Sequence, residues 1–267
     1  MRLALLIASL MACLLAAPLA AFGAEKFEVV TLGGAGRVTD RVLADFDGDG
    51  RPEIVLLDGR RASIYRAADG DWDASVPWRF DLAADAICFD VGQVDAIPET
   101  REIVLVTPDG VRVHAFRDGR PSPRAEFLIR TKTLASRGPE DALFRRRILH
   151  DLDGDGLVDL VLPTARGFAL HHQARDPDGV RPGRWTAAAD GLVPFRLHAT
   201  FSPGSHGLTG AVRGSTGIPD FHVLDFDGDG RRDFALDDGR KLTIHRAGED
   251  GRIRPTEPTE IDLAPLA

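Results

Sequence analysis

Cysteine is almost missing from this chain: there are two in 267 residues, and only Cys88 lies beyond the first two dozen. One thiol allows no internal disulfide and no multi-thiolate metal site. Cys88 lies in the apolar run Ala86-Ile87-Cys88-Phe89 and reads as a buried small hydrophobe. Basic charge is also short: 33 Lys and Arg face 41 Asp and Glu, a net charge of −8. That balance argues against a nucleic-acid partner, because phosphate binding needs a basic surface. Catalytic signatures are lacking too, with no Gly-x-Ser-x-Gly elbow, no His-Glu-x-x-His and no Gly-rich phosphate loop. Turn formers abound instead, 28 Gly and 17 Pro between short bursts of Val, Leu and Ile. A β-rich chain fits this composition better than a helical bundle.

Residues 1–23 read as a secretory signal peptide. Arg2 precedes an uncharged apolar run from Leu3 to Ala21, Glu25 and Lys26 end it, and cleavage falls near Ala21-Phe22-Gly23-Ala24. The protein of residues 24–267 is then exported, to the periplasm, the medium or the cell surface, with no membrane span after cleavage. A retained anchor, or lipidation at Cys13 in the box-like Leu10-Met11-Ala12-Cys13, is the alternative.

The rest of the sequence is organised by repetition. Segments beginning at Arg41, Arg147 and Phe221 superimpose, and a fourth from Ala86 fits the same frame with a remodelled loop. In each, a short strand enters an acidic loop and a second strand leaves it: Ile54–Leu57, Ile103–Val106, Leu160–Leu162 and Phe234–Leu236. Asp58-Gly59, Asp109-Gly110 and Asp238-Gly239 then mark hairpin turns, since both residue types tolerate positive φ; Arg166-Gly167 takes their place in the remaining unit. A third and a fourth strand complete the unit. Four antiparallel strands per repeat predict an all-β fold, a β-propeller with blades at about 40–83, 85–130, 145–200 and 220–264. Thr131–Arg145 and Asp178–Asp220 read as loops between strands. Phe27–Leu32 resembles a fourth blade strand, yet the last repeat supplies its own in Thr259–Leu263. The expectation is therefore the N-terminal part of a larger propeller, with a four-bladed ring as the alternative.

The chemistry lies in the acidic loops. Three repeats carry Asp-x-Asp-Gly-Asp-Gly-x-x-Asp/Glu: Asp45, Asp47, Asp49 and Glu53; Asp151, Asp153, Asp155 and Asp159; Asp225, Asp227, Asp229 and Asp233. Four carboxylates in nine residues repel one another unless a hard cation lies among them, and Ca²⁺ takes six to eight oxygens in flexible geometry. Position seven, at Arg51, Leu157 and Arg231, can add a carbonyl. About three Ca²⁺ are expected. An EF-hand is excluded, because Leu56, Leu162 and Leu236 stand where its bidentate Glu belongs.

These loops resemble the calcium-binding hairpins of FG-GAP and VCBS-type repeats, found in the integrin α-subunit propeller and in many secreted bacterial proteins. The likeness runs from about Arg41 to Gly251, and the missing Phe-Gly and Gly-Ala-Pro signatures place the chain nearer the bacterial type. It implies calcium ligation by the twelve carboxylates. The second repeat, framed on Asp90, departs from the pattern, with Gly92 and Val94 for the second and third Asp and Glu102 four residues late. No calcium is expected there.

Other candidates take blander readings. Tyr65, His114, His171 and His245 occupy one third-strand position and read as packing; His171 and His172, successive in a strand, face opposite sides. Trp72, Trp78 and Trp185 read as packing before sugar stacking, and Ser205-His206 is the one nucleophile–base adjacency. The function expected is a calcium-stabilised binding or adhesion module for a protein or glycan partner, not an enzyme. A propeller-type polysaccharide lyase or hydrolase, or a surface structural protein, is the alternative.

Overall fold

The computed structural model describes residues 29–263 apart from 34–35, 69–70, 73–77, 96, 98, 135–142, 176–181, 187, 197 and 204–211. The expected leader and Ser205-His206 lie outside the described residues, as do Phe27 and Glu28; Val29–Leu32 adopt no strand. The chain divides into Met1–Thr31 and Leu32–Ala267, and every sheet belongs to the second unit.

Among the described residues there is no helix. Four sheets each contain four antiparallel strands joined in chain order. The first comprises Asp40–Ala44, Glu53–Asp58, Arg61–Tyr65 and Trp78–Asp81. The second comprises Cys88–Gly92, Glu102–Thr107, Gly110–His114 and Glu126–Arg130, with Phe144–Arg145 added in parallel beside Cys88–Phe89. The third comprises Leu149–His150, Asp159–Thr164, Gly167–His171 and Gly191–Val193. The fourth comprises Asp220–Leu224, Asp233–Asp237, Lys241–His245 and Thr259–Asp262.

Between its third and fourth strands each unit inserts a small hairpin. These are Ala67–Ala68 with Asp71–Trp72, Phe116–Arg117 with Arg120–Pro121, Gln173–Arg175 with Pro182–Trp185, and the single bridge Ala247–Ile253. Sequence periodicity does not signal these short pieces. A further hairpin, His198–Pro203 with Val212–Gly217, occupies part of the stretch expected to be loop.

The Asp-Gly turns differ from the expected geometry. Asp58, Asp109 and Asp238 keep negative φ, and the glycines alone enter the left-handed region. In the second sheet Thr107 pairs with Gly110, so Pro108 and Asp109 make the turn and the glycine opens the third strand. A Cβ at Gly110 would lie 2.1 Å from the Ile129 carbonyl oxygen, and one at Gly167 would lie 2.3 Å from that of Val193. Close passage of the fourth strand therefore demands glycine at these two places.

Successive sheets pack face to face through three apolar clusters. The first joins Val42, Val55, Ile64 and Phe80 to Phe89, Ile103 and Leu105; the second joins Val104, Val106, Val113 and Ile129 to Leu149, Leu160 and Leu162. The third joins Val161, Phe168, Leu170 and Val193 to Phe234 and Leu236. Alternate residues of a second strand thus serve opposite neighbours, which explains their unbroken apolar runs. Each joint has the same keystone. The second loop residue, Phe46, Val94 or Leu152, is fully buried beneath the small hairpin of the following sheet. Phe46 meets Phe116 with ring centroids 4.9 Å apart, Trp185 Nε1 donates to the Val94 carbonyl at 2.9 Å, and Leu152 packs with Ala247 and Ile253.

The third-strand position common to the units ends in Tyr65, His114, His171 and His245, each paired with the first apolar residue of its second strand and each buried. Burial lowers the pKa of all three histidines. Tyr65 donates to the Gly33 carbonyl at 2.7 Å, while His114 and His171 meet the Ser122 and Thr186 carbonyls through Nδ1. Packing within the sheets is what these residues do here.

Candidate functional site

The first three carboxylates of the three acidic loops make the same backbone hydrogen bonds, with lengths that agree to about a tenth of an ångström. The position-one carboxylates of Asp45, Asp151 and Asp225 accept the N–H of Gly48, Gly154 and Gly228 at 2.8, 2.8 and 2.7 Å. Position three accepts from position five at 3.2 Å in every loop, and position five accepts from Arg51, Leu157 and Arg231 at 2.8 Å. Both glycines of each loop have φ between 78° and 86°. A Cβ would meet nothing within 4 Å at Gly50, Gly154, Gly156, Gly228 or Gly230, so backbone handedness rather than space requires glycine there.

This path gathers carboxylates. Oxygens of Asp45, Asp47 and Glu53 lie within 4.8 Å of one another, as do those of Asp151, Asp153 and Asp155, and those of Asp225, Asp227 and Asp229. A flexible, oxygen-only donor set of this kind fits Ca²⁺. Position nine has a second task. Its carboxylate accepts the keystone N–H at Phe46, Val94, Leu152 and Phe226, at 2.7, 2.9, 2.7 and 3.1 Å. Asp159 and Asp233 give their other oxygen to the N–H of Gln173 and Ala247, both at 2.9 Å, and so pin the small hairpin to the loop. Burial, aided by Asp47, Asp49 and Asp45, pushes Glu53 up to about 7 against the Phe46 hydrogen bond that favours its anion. Burial likewise pushes Asp159 up to about 6.

The second repeat is framed differently from the expectation. Glu102 fills position nine by its bond from Val94, which puts Gln93 at position one and Asp95 at position three, with one inserted residue. Asp90 lies upstream in the first strand, paired with Val104, and accepts the N–H of Ile148 at 2.9 Å and of Leu149 at 3.1 Å. Residue type alone does not give the register of this repeat; the hydrogen bond of the keystone does. Asp90 ties the second sheet to the third rather than opening a loop.

Glu102 makes a testable case, since burial, with Asp95 adding, raises it from 4.5 to about 7. Between those values the unfolded chain releases its proton first, so rising pH costs stability, in total on the order of 3 kcal/mol. Glu102→Gln keeps an acceptor for Val94 and offers Thr100 Oγ a donor in place of the bond now at 2.7 Å. The variant's stability relative to wild type is expected to grow by about that amount from pH 4.5 to 8 in urea titrations. Parallel profiles would refute this.

After the third strand, each acidic loop meets a basic side chain: Arg66 pairs with Asp47, and Arg246 approaches Asp227 at 3.5 Å. The third repeat has His172 instead, grouped with Asp153 and Asp159. Burial opposes its charge, but Asp190, 2.8 Å from Nδ1, and the loop carboxylates outweigh burial and raise its pKa. Cys88 is buried in the second cluster, its thiol pushed up to about 12 by burial. Trp78 and Trp185 pack against apolar clusters, as expected.

A cleft of about 640 Å³ opens between the first strands of the second and third sheets. Arg101, Arg145 and Arg147 line it beside Asp90 and Gln93, with Arg145 Nε 3.6 Å from Asp90. Arg145 and Arg147 come from the run Arg145-Arg146-Arg147, and the pairing of sheets brings the distant Arg101 beside them.

No family model and no curated protein matches the sequence. Among solved structures, the chain is similar to an Agrocybe aegerita lectin described as specifically recognising non-reducing terminal N-acetylglucosamine. The identity is 18% and the TM-score 0.51, over 82% of this chain and 51% of that one. The chain thus spans about half the length of that structure, and the likeness is one of all-β fold. Among the described residues no helix is long and apolar enough to cross a membrane.

Proposed function

We propose that this chain is an exported β-propeller-type repeat protein of the FG-GAP/VCBS kind, clamped by calcium and binding a glycan. Calcium is structural: Asp45, Asp47, Asp49 and Glu53, with the matching carboxylates of the third and fourth repeats, hold one ion in the acidic loop of each of these three sheets. When bound, it supplies positive charge that lets these carboxylates stay ionised side by side. The observation that carries the ligand class is the cleft of Arg101, Arg145, Arg147 and Gln93. Guanidinium groups offer forked donors that match carboxylates and vicinal hydroxyls, so an acidic glycan suits it better than a neutral one. The lectin-like fold supports this reading without naming the sugar.

The test is binding of acidic and neutral oligosaccharides in millimolar calcium, with Arg147→Ala as comparison. Acidic ligands are expected to bind, with a loss of about tenfold or more in the variant, the order of one charge-assisted hydrogen bond. Folded protein that retains no glycan would refute the proposal. New reducing or unsaturated ends in the mixture would replace it with the enzyme reading.

A further inference from the structure

The joint between successive sheets uses the same positions each time, and each half of it recurs uncovered at one end of the series. On the side facing the following sheet, the third-strand residues Ala62 and Ile64, Val111 and Val113, and Phe168 and Leu170 are buried, as are the fourth-strand Phe80, Ile129 and Val193. Strand register places Leu242, Ile244 and Ile261 at these positions in the fourth sheet; Ile244 is buried, but Leu242 is only half-buried and Ile261 is 43% exposed. The keystone there, Phe226, is 37% exposed where Phe46, Val94 and Leu152 are fully buried. On the side facing the preceding sheet, Ile103 and Leu105, Leu160 and Leu162, and Phe234 and Leu236 are buried. Their counterparts in the first sheet, Ile54 and Leu56, are only half-buried, and neighbouring Leu43 is 60% exposed. Among the described residues no apolar cluster joins the fourth sheet to the first.

We propose that the uncovered face of the fourth sheet packs on that of the first sheet of a second copy of this chain, repeating the joint found three times within one copy. Each copy carries both halves, so two copies make two such joints and leave neither face bare. Head-to-tail contacts of this kind are self-limiting when the rotation closes. Charge agrees with the match. Asp220, which also approaches Arg146 at 3.6 Å, and Asp237 share a cross-strand row with Leu242 and Ile261, while Arg41 and Arg79 share one with Leu56, beside the mixed-sign row of Asp58, Arg61 and Asp81.

Light scattering on the purified protein should give twice the monomer mass, and monomers for Ile261→Lys and for Leu43→Glu, both exposed enough to leave the fold intact by circular dichroism. Each variant retains the half that the other lacks. Mixing them should therefore restore a double-mass species of one-to-one composition by native mass spectrometry, with Lys facing Glu at the second joint. Wild-type protein that is monomeric throughout a dilution series would overturn the proposal, independently of either variant. So would a dimer that both substitutions leave intact, or a mixture that stays monomeric.

Discussion

Thermal unfolding in about 10 mM calcium is expected to occur about 10–30 °C above the transition in excess chelator. The size follows from the loops. Extracellular calcium modules bind at roughly 0.1–1 mM, so about 10 mM calcium is roughly 10–100 times the dissociation constant and adds about 1.4–2.7 kcal/mol per site. Three such sites add about 4–8 kcal/mol, and each kcal/mol moves the midpoint of a domain this size by about 2–4 °C. The common geometry of the loops, with matching hydrogen bonds from 2.7 to 3.2 Å, argues that all three fill alike. Calorimetric titration is then expected to give three equivalents, falling to two in Asp229→Ala. A midpoint that moves by less than about 3 °C would show that the carboxylates are solvated turns and nothing more.

Asp159→Ala is expected to cost about 4 kcal/mol in urea unfolding, measured in chelator so that calcium plays no part. The side chain is fully buried and accepts the N–H of Leu152 and of Gln173, so its removal leaves two interior donors without a partner. Each orphaned donor costs about 1–3 kcal/mol. Asp159→Asn should rescue little, because its amide turns a donor toward one of the two N–H groups. A loss below about 1 kcal/mol would mean that the pin between loop and hairpin adds nothing to stability.

The two cases show different degrees of legibility. The acidic loops can be read directly from the chain, because a metal-type loop is local: nine residues contain its donors, its glycines and its closing carboxylate. The second repeat resisted that reading. Asp90 looked like the first residue of a degraded loop, yet it is a strand residue that binds Ile148 and Leu149 on the next sheet. The Asp-Gly pairs were read as turns for a local reason, whereas Gly110 and Gly167 are glycines because a fourth strand passes close by.

By itself the sequence determined what depends on near neighbours. The strand periodicity, the repeat unit, the carboxylate loops and the common third-strand position of Tyr65, His114, His171 and His245 all follow from spacing along one chain. Tertiary structure decided what depends on distant residues meeting. It buried Phe46, Val94 and Leu152 beneath hairpins of the next sheet, gathered Arg101, Arg145 and Arg147 in one cleft, and left Phe226 and Ile261 uncovered. An apolar residue has the same identity whether buried or bare. Only its neighbours across the sheet-to-sheet joint distinguish core from an interface awaiting a partner.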